Sequence, residues 1–313
     1  MSDYIFLNGQ ILPYESAHIA PGDASFLHGA GLFETMHSRN GKVFRLADHR
    51  ARITASAAAL SINLTLEQSD FAAMIAELLE ANDLDNQDAR LRLTISRGDL
   101  HALTPDQSAP PLTLVLSAAP FTPYPAALYA QGMTVIVSQY RQNPQSPLTG
   151  HKTTSYVDRL LALREAQEKG AGEALWFTST NLLAEASIAN VFLVAQDNTL
   201  ITPPLTATAS QLGLATPDSP IAPDSPPLRL CLPGVTRQVI LNLAIEMNLL
   251  PHERLITINE VLAAKEMFIT NAVMGAMPVV RLERHAIGNE KPGQLTQKLS
   301  AAYQAKFTEE TNA

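Results

Sequence analysis

The sequence predicts an α+β protein with two domains, and three observations lead to this class. The chain has 313 residues, of which 46% are hydrophobic and 17% are charged, so it can build a large core or two cores. Short strand-like segments alternate with longer segments of helical periodicity. A proline-rich segment at 119–126 interrupts this pattern. We therefore predict a small α+β domain at 1–120, a linker at 121–130 and a larger domain at 131–313.

The first predicted domain combines hairpins with two helices. Asn8-Gly9 and Asn40-Gly41 each separate two short apolar runs, which is the typical pattern of a two-residue hairpin turn. Thr65 and Gln68 form a predicted capping box for the second helix. The predicted strands lie at 4–7, 10–12, 32–37, 42–44, 89–96 and 112–118. The predicted helices lie at 46–60 and 65–80.

The second predicted domain continues with strands and helices in alternation. Its predicted strands lie at 133–139, 173–178, 191–195, 199–202, 266–270 and 278–282. Its predicted helices lie at 157–169, 238–247, 260–265 and 292–307. The segment 206–232 is rich in Pro, Ser, Ala and Thr and has little periodicity, so we predict a long surface excursion there.

Composition excludes several classes of protein. The net charge is −8 and no basic stripe is present, which argues against nucleic-acid binding. No apolar run reaches about 18 residues, so no membrane span is expected. The single cysteine, Cys231, is consistent with a reducing compartment, and we predict the cytoplasm. The eight histidines form no metal-ligand motif, so no metal is expected. Gly150-His151-Lys152-Thr153 does not match a P-loop.

Lys152 is the first candidate catalytic residue. It follows the proline-rich run 143–150 and precedes the helix predicted at 157–169. We place it at the entrance of that helix, where the positive end of the helix dipole disfavours an ammonium ion. The neutral amine that results is the form that Schiff-base chemistry needs. On the local sequence alone, a solvated loop lysine is the alternative.

Three other candidates fit parts of one ligand. Pro233-Gly234-Val235-Thr236 opens a predicted helix and can bind an anion, although Thr236 could instead be only an N-terminal cap. Glu185 is either a turn carboxylate that faces water or the partner of a protonated ring nitrogen. Arg52 lies near Arg45, His49 and Arg50 on a predicted helix. Most of these side chains are expected on a solvated face, and one of them could reach a phosphate. An aldehyde for Lys152, a ring nitrogen and a phosphate together describe pyridoxal 5′-phosphate.

Six motifs spread from Gly31 to Val279 carry a resemblance to a known family. They are Gly-Leu-Phe-Glu-Thr (31–35), Phe-Arg-Leu-Ala-Asp-His (44–49) with Arg52, Lys-Thr-Thr-Ser-Tyr (152–156), Ala-Glu-Ala-Ser-Ile-Ala-Asn-Val-Phe (184–192), Leu-Pro-Gly-Val-Thr-Arg (232–237) and Ile-Thr-Asn-Ala-Val-Met-Gly-Ala-Met-Pro-Val (269–279). The chain thereby resembles the class IV, fold-type IV, pyridoxal-phosphate enzymes. These include branched-chain and D-amino-acid aminotransferases and aminodeoxychorismate lyases. The resemblance implies an α/β pseudo-barrel for the larger domain and a homodimer with each active site near the subunit interface.

The resemblance also implies roles for individual residues. Lys152 would bond the aldehyde of the cofactor and transfer protons, Glu185 would bind its pyridine nitrogen, and Tyr156 would approach its ring hydroxyl. The implied phosphate ligands are Arg52, the Val235 and Thr236 amides, the Thr236 hydroxyl, and the turn at Asn271 and Ala272. Some relatives have Thr at the position of Ala272, so that contact would be through the backbone here.

The resemblance favours one member of the family. The turn at 271–279 and the run Asn-Pro-x-Ser-Pro-Leu at 143–148 are most similar to the lyases. This implies a 4-amino-4-deoxychorismate lyase, which releases pyruvate and 4-aminobenzoate in folate biosynthesis. The segment 97–101 lacks both the Arg-x-His pair of D-amino-acid enzymes and the Gly-Gly-Arg-Gly of many lyases. The alternative is a class IV aminotransferase for branched-chain or other small amino acids. The candidate substrate ligands are His28, Arg97 and His101.

Overall fold

The structure, a computed structural model, describes residues 3–102, 111–215 and 225–312. Contacts divide the chain into two compact units. The first unit contains Met1–Pro123, His151–Tyr156 and Lys306–Ala313, and the second contains Tyr124–Gly150 and Val157–Ala305. The segment that carries Lys152 therefore packs with the first unit, although its neighbours in sequence belong to the second. The predicted domains were continuous stretches, and the units are not.

The first unit is a six-stranded antiparallel sheet with helices packed on it. Its strands are β1 (Tyr4–Leu7), β2 (Gln10–Pro13), β3 (Gly31–Arg39), β4 (Lys42–Val43), β5 (Ala89–Ser96) and β6 (Thr113–Pro120), in the order β2-β1-β6-β5-β3-β4. Its helices are α1 (Ala24–His28), α2 (Leu46–Ala59) and α3 (Gln68–Ala81). The two predicted hairpins are confirmed by the pairing of β1 with β2 and of β3 with β4.

One core cluster holds this sheet against α2 and α3. Leu32 and Met36 on β3 alternate with residues that face the other way, and they pack against Phe71 and Leu78 of α3. The predicted capping box is wrong, because α3 begins at Gln68 after an N-cap residue, Glu67, that makes no side-chain cap.

The stretch from Lys306 onward packs against the same unit. The Phe307 ring lies 5.1 Å from the Phe44 ring and 4.4 Å from the His37 ring, measured between centroids. Arg45 forms an ion pair of 2.7 Å with Glu310. Residues far apart in sequence therefore complete the core of this unit.

The second unit is built on a nine-stranded mixed sheet. Its strands are β7 (Met133–Gln142), β8 (Glu173–Thr178), β9 (Leu183–Ala186), β10 (Asn190–Val194), β11 (Leu200–Thr202), β12 (Thr206–Ala207), β13 (Leu228–Arg229), β14 (His252–Glu253), β15 (Glu266–Asn271), β16 (Gly275–Leu282) and β17 (His285–Ala286). The sheet has the order β14-β11-β10-β15-β16-β7-β8-β9, with β17 beside β16, and β12 and β13 pair separately. The helices are α4 (Ala126–Gln131), α5 (Val157–Glu168), α6 (Val235–Glu246), α7 (Ile258–Leu262) and α8 (Gln294–Asn312), of which α8 belongs to the first unit from Lys306 onward.

Two differences from the prediction in this unit matter for the site. Helix α6 begins at Val235 rather than at 238. The segment 206–232 is not a surface excursion throughout, because Leu212 and Leu230 are buried in a small core beside β12 and β13. Residues 216–224 of that segment lie outside the described residues.

No helix in the described ranges is long and apolar enough to cross a membrane. No group of three or more His, Cys, Asp or Glu side chains among the same residues is arranged to hold a metal ion.

Candidate functional site

The segment 151–156 is fixed to the end of β3 by backbone hydrogen bonds. The Phe33 N–H donates to the Lys152 carbonyl at 2.8 Å, and the Thr154 N–H donates to the Gly31 carbonyl at 2.9 Å. His151 is held as well, since its Nδ1 lies 2.9 Å from the Ser56 hydroxyl on α2. The backbone of Lys152 is thus held on both sides, which fixes the origin of its side chain.

Helix α5 begins at Val157, as predicted, and Lys152 precedes it in the sequence. The expected effect of the helix dipole on the Lys152 amine stays a prediction. The Lys152 Nζ lies 4.2 Å from the centroid of the Phe33 ring and 5.8 Å from that of Tyr156. Two aromatic rings therefore shape the surroundings of this amine.

Arg92 is a second cation at the same ring, and sequence reasoning missed it. Its guanidinium carbon lies 4.0 Å from the Phe33 centroid. On β5, Arg92 is paired with Thr35 of β3, so its side chain shares the sheet face of Phe33. The Tyr156 ring meets the edge of Phe33 at 5.3 Å between centroids. The sequence signal that could have indicated Arg92 is the alternation of apolar and polar residues along 89–94, which places Arg92 on the polar face of the strand.

Arg52, the predicted phosphate ligand, is oriented by a buried carboxylate. Its Nε donates to Glu34 Oε1 at 2.8 Å, and its Nη2 donates to Glu34 Oε2 at 2.6 Å. The His49 Nδ1 lies 2.8 Å from the same Oε2. Such a bidentate pair fixes the plane of a guanidinium group. Most of this charged group was expected on a solvated face, and His49 is a member that is buried.

The charges of this triad follow from its pKa shifts. Burial raises the pKa of Glu34, but the charge of Arg52 and the hydrogen bonds from His49 and Arg52 outweigh it and lower the pKa to about 2. Burial lowers the pKa of His49, against the opposing effect of Glu34. The lowered pKa of His49 favours its neutral ring, and the Glu34 carboxylate beside Nδ1 favours the tautomer that donates from that nitrogen. The sequence indicated Glu34 only as a member of the motif at 31–35, because a sequence does not show which strand residues face a helix.

Glu34→Gln is expected to destabilise the protein by about 3 kcal/mol at pH 7, since each unit of pKa shift is worth about 1.4 kcal/mol. The folded pKa lies below the unfolded value of 4.5. The advantage of the wild type is therefore present above pH 4.5 and is lost as the pH falls towards 2. Urea unfolding at pH 7 and pH 3 measures the difference. Glu77→Gln on the exposed side of α3 is the control, and an equal loss at both pH values would contradict the prediction.

The three candidate substrate ligands, His28, Arg97 and His101, all belong to the first unit. His28 ends α1 and is followed by Gly29, whose φ is 64°. A Cβ added to Gly29 would lie 3.2 Å from the Ser155 Cβ, so this turn lies close to the Lys152 segment. Arg97 and His101 follow the end of β5, and their side chains make no hydrogen bond or ion pair to the described parts of the chain. Their role in substrate binding stays a prediction.

Glu185 lies on β9, and its carboxylate is buried, with 8% of the residue exposed. Arg159 Nη2 donates to Oε1 at 2.8 Å, and the Leu232 N–H donates to Oε2 at 2.9 Å. The alternative of a turn carboxylate facing water is therefore wrong. A carboxylate can accept about four hydrogen bonds, so each oxygen of Glu185 keeps capacity for a further donor.

Arg159, which sequence reasoning also missed, is itself held on several sides. It donates to the Ala186 carbonyl at 3.2 Å and to the side chain of Gln142. Its guanidinium carbon lies 4.2 Å from the Trp176 ring centroid. These contacts fix the ion pair with Glu185 in one geometry. Arg159 comes from α5, and its contact with a residue of β9 has no signature in either local sequence.

The amino end of α6 has the geometry of an anion site. Gly234 is the N-cap residue and supplies no side-chain cap. A Cβ at Gly234 would overlap the Asn190 side chain, so the chain has no room for a larger residue there. Val235 and Thr236 are the first helical residues and are buried. Thr236 is therefore not the cap, and the alternative that it serves only in capping is wrong.

The turn at Asn271 and Ala272 is shaped by the Asn271 side chain. Its Oδ1 accepts the N–H groups of Val273 at 2.9 Å and Met274 at 2.8 Å, and its Nδ2 donates to the Ile188 carbonyl at 3.2 Å. The side chain is engaged with the backbone, so a phosphate contact from this turn would come from backbone N–H groups. That contact stays a prediction.

Within the second unit, the buried Glu185 carboxylate and the amino end of α6 have the chemistry that a protonated ring nitrogen and a phosphate need. The chain belongs to the amino-transferase class IV family, whose sequence pattern matches residues 31–210 and 223–282. The predicted resemblance is confirmed. The chain is accordingly a pyridoxal-phosphate enzyme, as predicted.

Several known proteins are similar along nearly the whole chain. A putative branched-chain-amino-acid aminotransferase of Methanocaldococcus jannaschii is 28% identical, over 96% of this chain and 94% of that protein. An aminodeoxychorismate lyase of Bacillus subtilis is 27% identical, over 97% of this chain and 94% of that protein. The Escherichia coli branched-chain amino acid aminotransferase structure matches with a TM-score of 0.84 at 24% identity, over 99% and 96% of the two chains. This likeness confirms the predicted fold-type IV class.

The residues present fit pyridoxal phosphate. Glu185 offers a buried acceptor of the kind that a protonated pyridine nitrogen needs. The exclusion of a side chain at Gly234 keeps the backbone accessible beside the first turn of α6. The Thr270 hydroxyl is buried without a hydrogen-bond partner among the described residues.

Proposed function

We propose that the protein is a 4-amino-4-deoxychorismate lyase, which releases pyruvate and 4-aminobenzoate, a folate precursor. The observation that carries this proposal is the likeness of the runs at 143–148 and 271–279 to the lyases. The similarity to the Bacillus subtilis lyase along 97% of the chain supports it.

Lys152 would perform the central proton transfer. When bound, pyridoxal phosphate withdraws electrons from the carbon that carries the substrate amine. The Lys152 amine would remove the proton from that ring carbon, and its fixed backbone sets the position from which it acts. Glu185 would keep the pyridine nitrogen protonated, which maintains the withdrawal. The C–O bond at the neighbouring carbon would then break, so that enolpyruvate leaves and takes up a proton to become pyruvate, and the ring becomes aromatic 4-aminobenzoate.

Arg92 would bind a carboxylate of the substrate. The proposed substrate carries two carboxylates, and an arginine presents a planar fork of donors to such a group. Arg92 and Lys152 both lie within about 4 Å of the Phe33 centroid, so a carboxylate at Arg92 would place the substrate amine near Lys152. Arg92 is thus a better supported substrate ligand than Arg97.

Arg92→Leu is expected to raise KM about 10- to 100-fold with a smaller effect on kcat, because a hydrogen-bonded charge is lost from substrate binding. Steady-state kinetics measure both constants. Arg90→Leu is the matched control, since Arg90 lies on the same strand and face but opposite His37. An equal effect of the two substitutions would argue against the role of Arg92.

The second candidate function is a class IV aminotransferase for branched-chain amino acids. The similarity to the Methanocaldococcus jannaschii protein favours it. In that reaction Lys152 would move the same kind of proton. Bound pyridoxal phosphate would keep the amino group when water releases the keto acid.

A coupled assay discriminates between the two functions. The enzyme is incubated either with aminodeoxychorismate, with pyruvate measured, or with a branched-chain amino acid and 2-oxoglutarate, with glutamate measured. The lyase proposal expects pyruvate at catalytic rates from the first substrate. Glutamate formation without pyruvate release would overturn it in favour of the aminotransferase.

We further propose that the enzyme is a homodimer, as the family resemblance implies. Helix α5 exposes Val157, Leu160 and Leu161, each 45% or more accessible, and a second copy would remove these apolar side chains from water. Sedimentation equilibrium should give about twice the chain mass of 33.8 kDa. A mass that stays at one chain across the micromolar range would contradict this proposal.

A further inference from the structure

Thr270 on β15 is a buried polar residue without an evident function. Its residue is 1% exposed, and its Oγ1 has no hydrogen-bond partner in the described ranges. A buried hydroxyl left unsatisfied costs about 1–3 kcal/mol. A serine or threonine hydroxyl in such a place is therefore expected to meet a group that the chain itself does not supply.

The pairing of strands shows where this hydroxyl points. Thr270 lies directly opposite Asn190 on β10, and side chains of directly opposed residues project from the same face about 5 Å apart. The Asn190 side chain donates to the Leu232 carbonyl at 2.9 Å and occupies the space where a Cβ of Gly234 would lie. Thr270 therefore faces the turn that leads into α6.

That turn is the anion site described above. Helix α6 has 12 residues, so its terminus carries a developed dipole, and the buried Thr236 is in its first turn. A phosphate offers several acceptor oxygens, and a neutral hydroxyl can donate to one without adding charge. The helix terminus and the unpaired hydroxyl are independent observations that indicate the same ligand.

The residue at 272 explains why a second hydroxyl is useful here. The turn after β15 offers no hydroxyl of its own, because residue 272 is alanine. Thr270 is two residues earlier on the same strand end. Its hydroxyl can provide the donor that Ala272 lacks.

We propose that Thr270 is a ligand of the cofactor phosphate, donating a hydrogen bond from its hydroxyl in place of the side chain missing at Ala272. This inference rests on the proposed assignment of the phosphate to the amino end of α6. If the Thr270 hydroxyl binds the phosphate, its removal weakens the binding of the phosphorylated cofactor alone. A purely structural role would change the binding of the cofactor with and without its phosphate alike.

The test measures binding to the apoprotein rather than turnover. Wild type, Thr270→Val and Thr270→Ser are titrated with pyridoxal phosphate and with pyridoxal, which lacks the phosphate. Thr270→Val should weaken the binding of pyridoxal phosphate about 10- to 100-fold and leave pyridoxal binding unchanged, as expected for one hydrogen bond to a charged group. Thr270→Ser keeps the hydroxyl and should bind both compounds like wild type.

A matched control is available in the same sheet. The Thr202 hydroxyl is equally buried but donates to the Val191 carbonyl at 2.7 Å. Thr202→Val should therefore lower the melting temperature of the apoprotein without changing selectivity for the phosphate. Thr270→Val should instead leave or raise that temperature, because it removes an unsatisfied group, and should reduce the stabilisation by added inorganic phosphate.

Two results would overturn the inference. One is wild-type affinity of Thr270→Val for pyridoxal phosphate, and the other is an equal loss for both compounds. A further variant strengthens the comparison, since Ala272→Thr added to Thr270→Val should restore part of the affinity. If the wild type itself binds both compounds equally, the phosphate assignment fails rather than the role of Thr270.

Discussion

Lys152→Ala is expected to abolish the near-visible absorbance of the bound cofactor and to lower kcat roughly 10³-fold or more. The reason is that one side chain supplies both the covalent attachment and the proton transfer. The fold should survive, since the segment 151–156 is fixed through backbone bonds that alanine keeps. Absorbance spectra of the purified variant and single-turnover kinetics measure the two effects.

Lys169→Ala is the control for this experiment. Lys169 is exposed and pairs with Glu165 one helical turn away, so its removal should change neither absorbance nor rate. Persistence of the absorbance band in Lys152→Ala would mean that another lysine holds the cofactor. Circular dichroism of both variants separates loss of chemistry from loss of folding.

Glu185→Gln is the substitution with the second largest expected effect. We expect kcat to fall roughly 10²- to 10³-fold, because an amide cannot hold a pyridine nitrogen in its protonated form. Stability should fall as well, since Arg159 loses the ionised partner that lies 2.8 Å away. Removing one partner of a buried ion pair costs about 3–5 kcal/mol, and the remaining acceptor of glutamine places this change at the lower end.

A double-mutant cycle separates the two consequences of that substitution. Arg159→Gln should lower stability by a similar amount, and the double variant should lose less than the sum, with a coupling of about 1–3 kcal/mol. Glu168→Gln on the exposed side of α5 is the control. If Glu185→Gln kept the kcat of wild type, the carboxylate would not serve the ring nitrogen.

The candidate site residues that the sequence indicated come from motifs. Lys152, Glu185 and Thr236 each lie in a short run whose residue types match a specific chemistry. The fold class could be predicted for a similar reason, because strand alternation and hairpin turns such as Asn8-Gly9 are local signals.

The supporting residues could not be predicted, because their roles depend on register and packing. Glu34 orients Arg52 only because β3 turns that residue towards α2. Arg92 reaches Phe33 only through the pairing of β5 with β3. The start of α6 at Val235 was missed by three residues, since helix termini depend on capping geometry that the periodic pattern does not define.

The first unit contains segments from both ends of the chain, and this has a consequence for its synthesis. At a translation rate of about 5–20 residues per second, Lys306 leaves the ribosome roughly 10 to 40 s after Pro123. Throughout that interval Phe44 lacks the Phe307 ring that packs on it, and the Arg45 side chain lacks Glu310. The unit that is translated first is therefore completed last, and the nascent chain has to keep its incomplete core from aggregating until then.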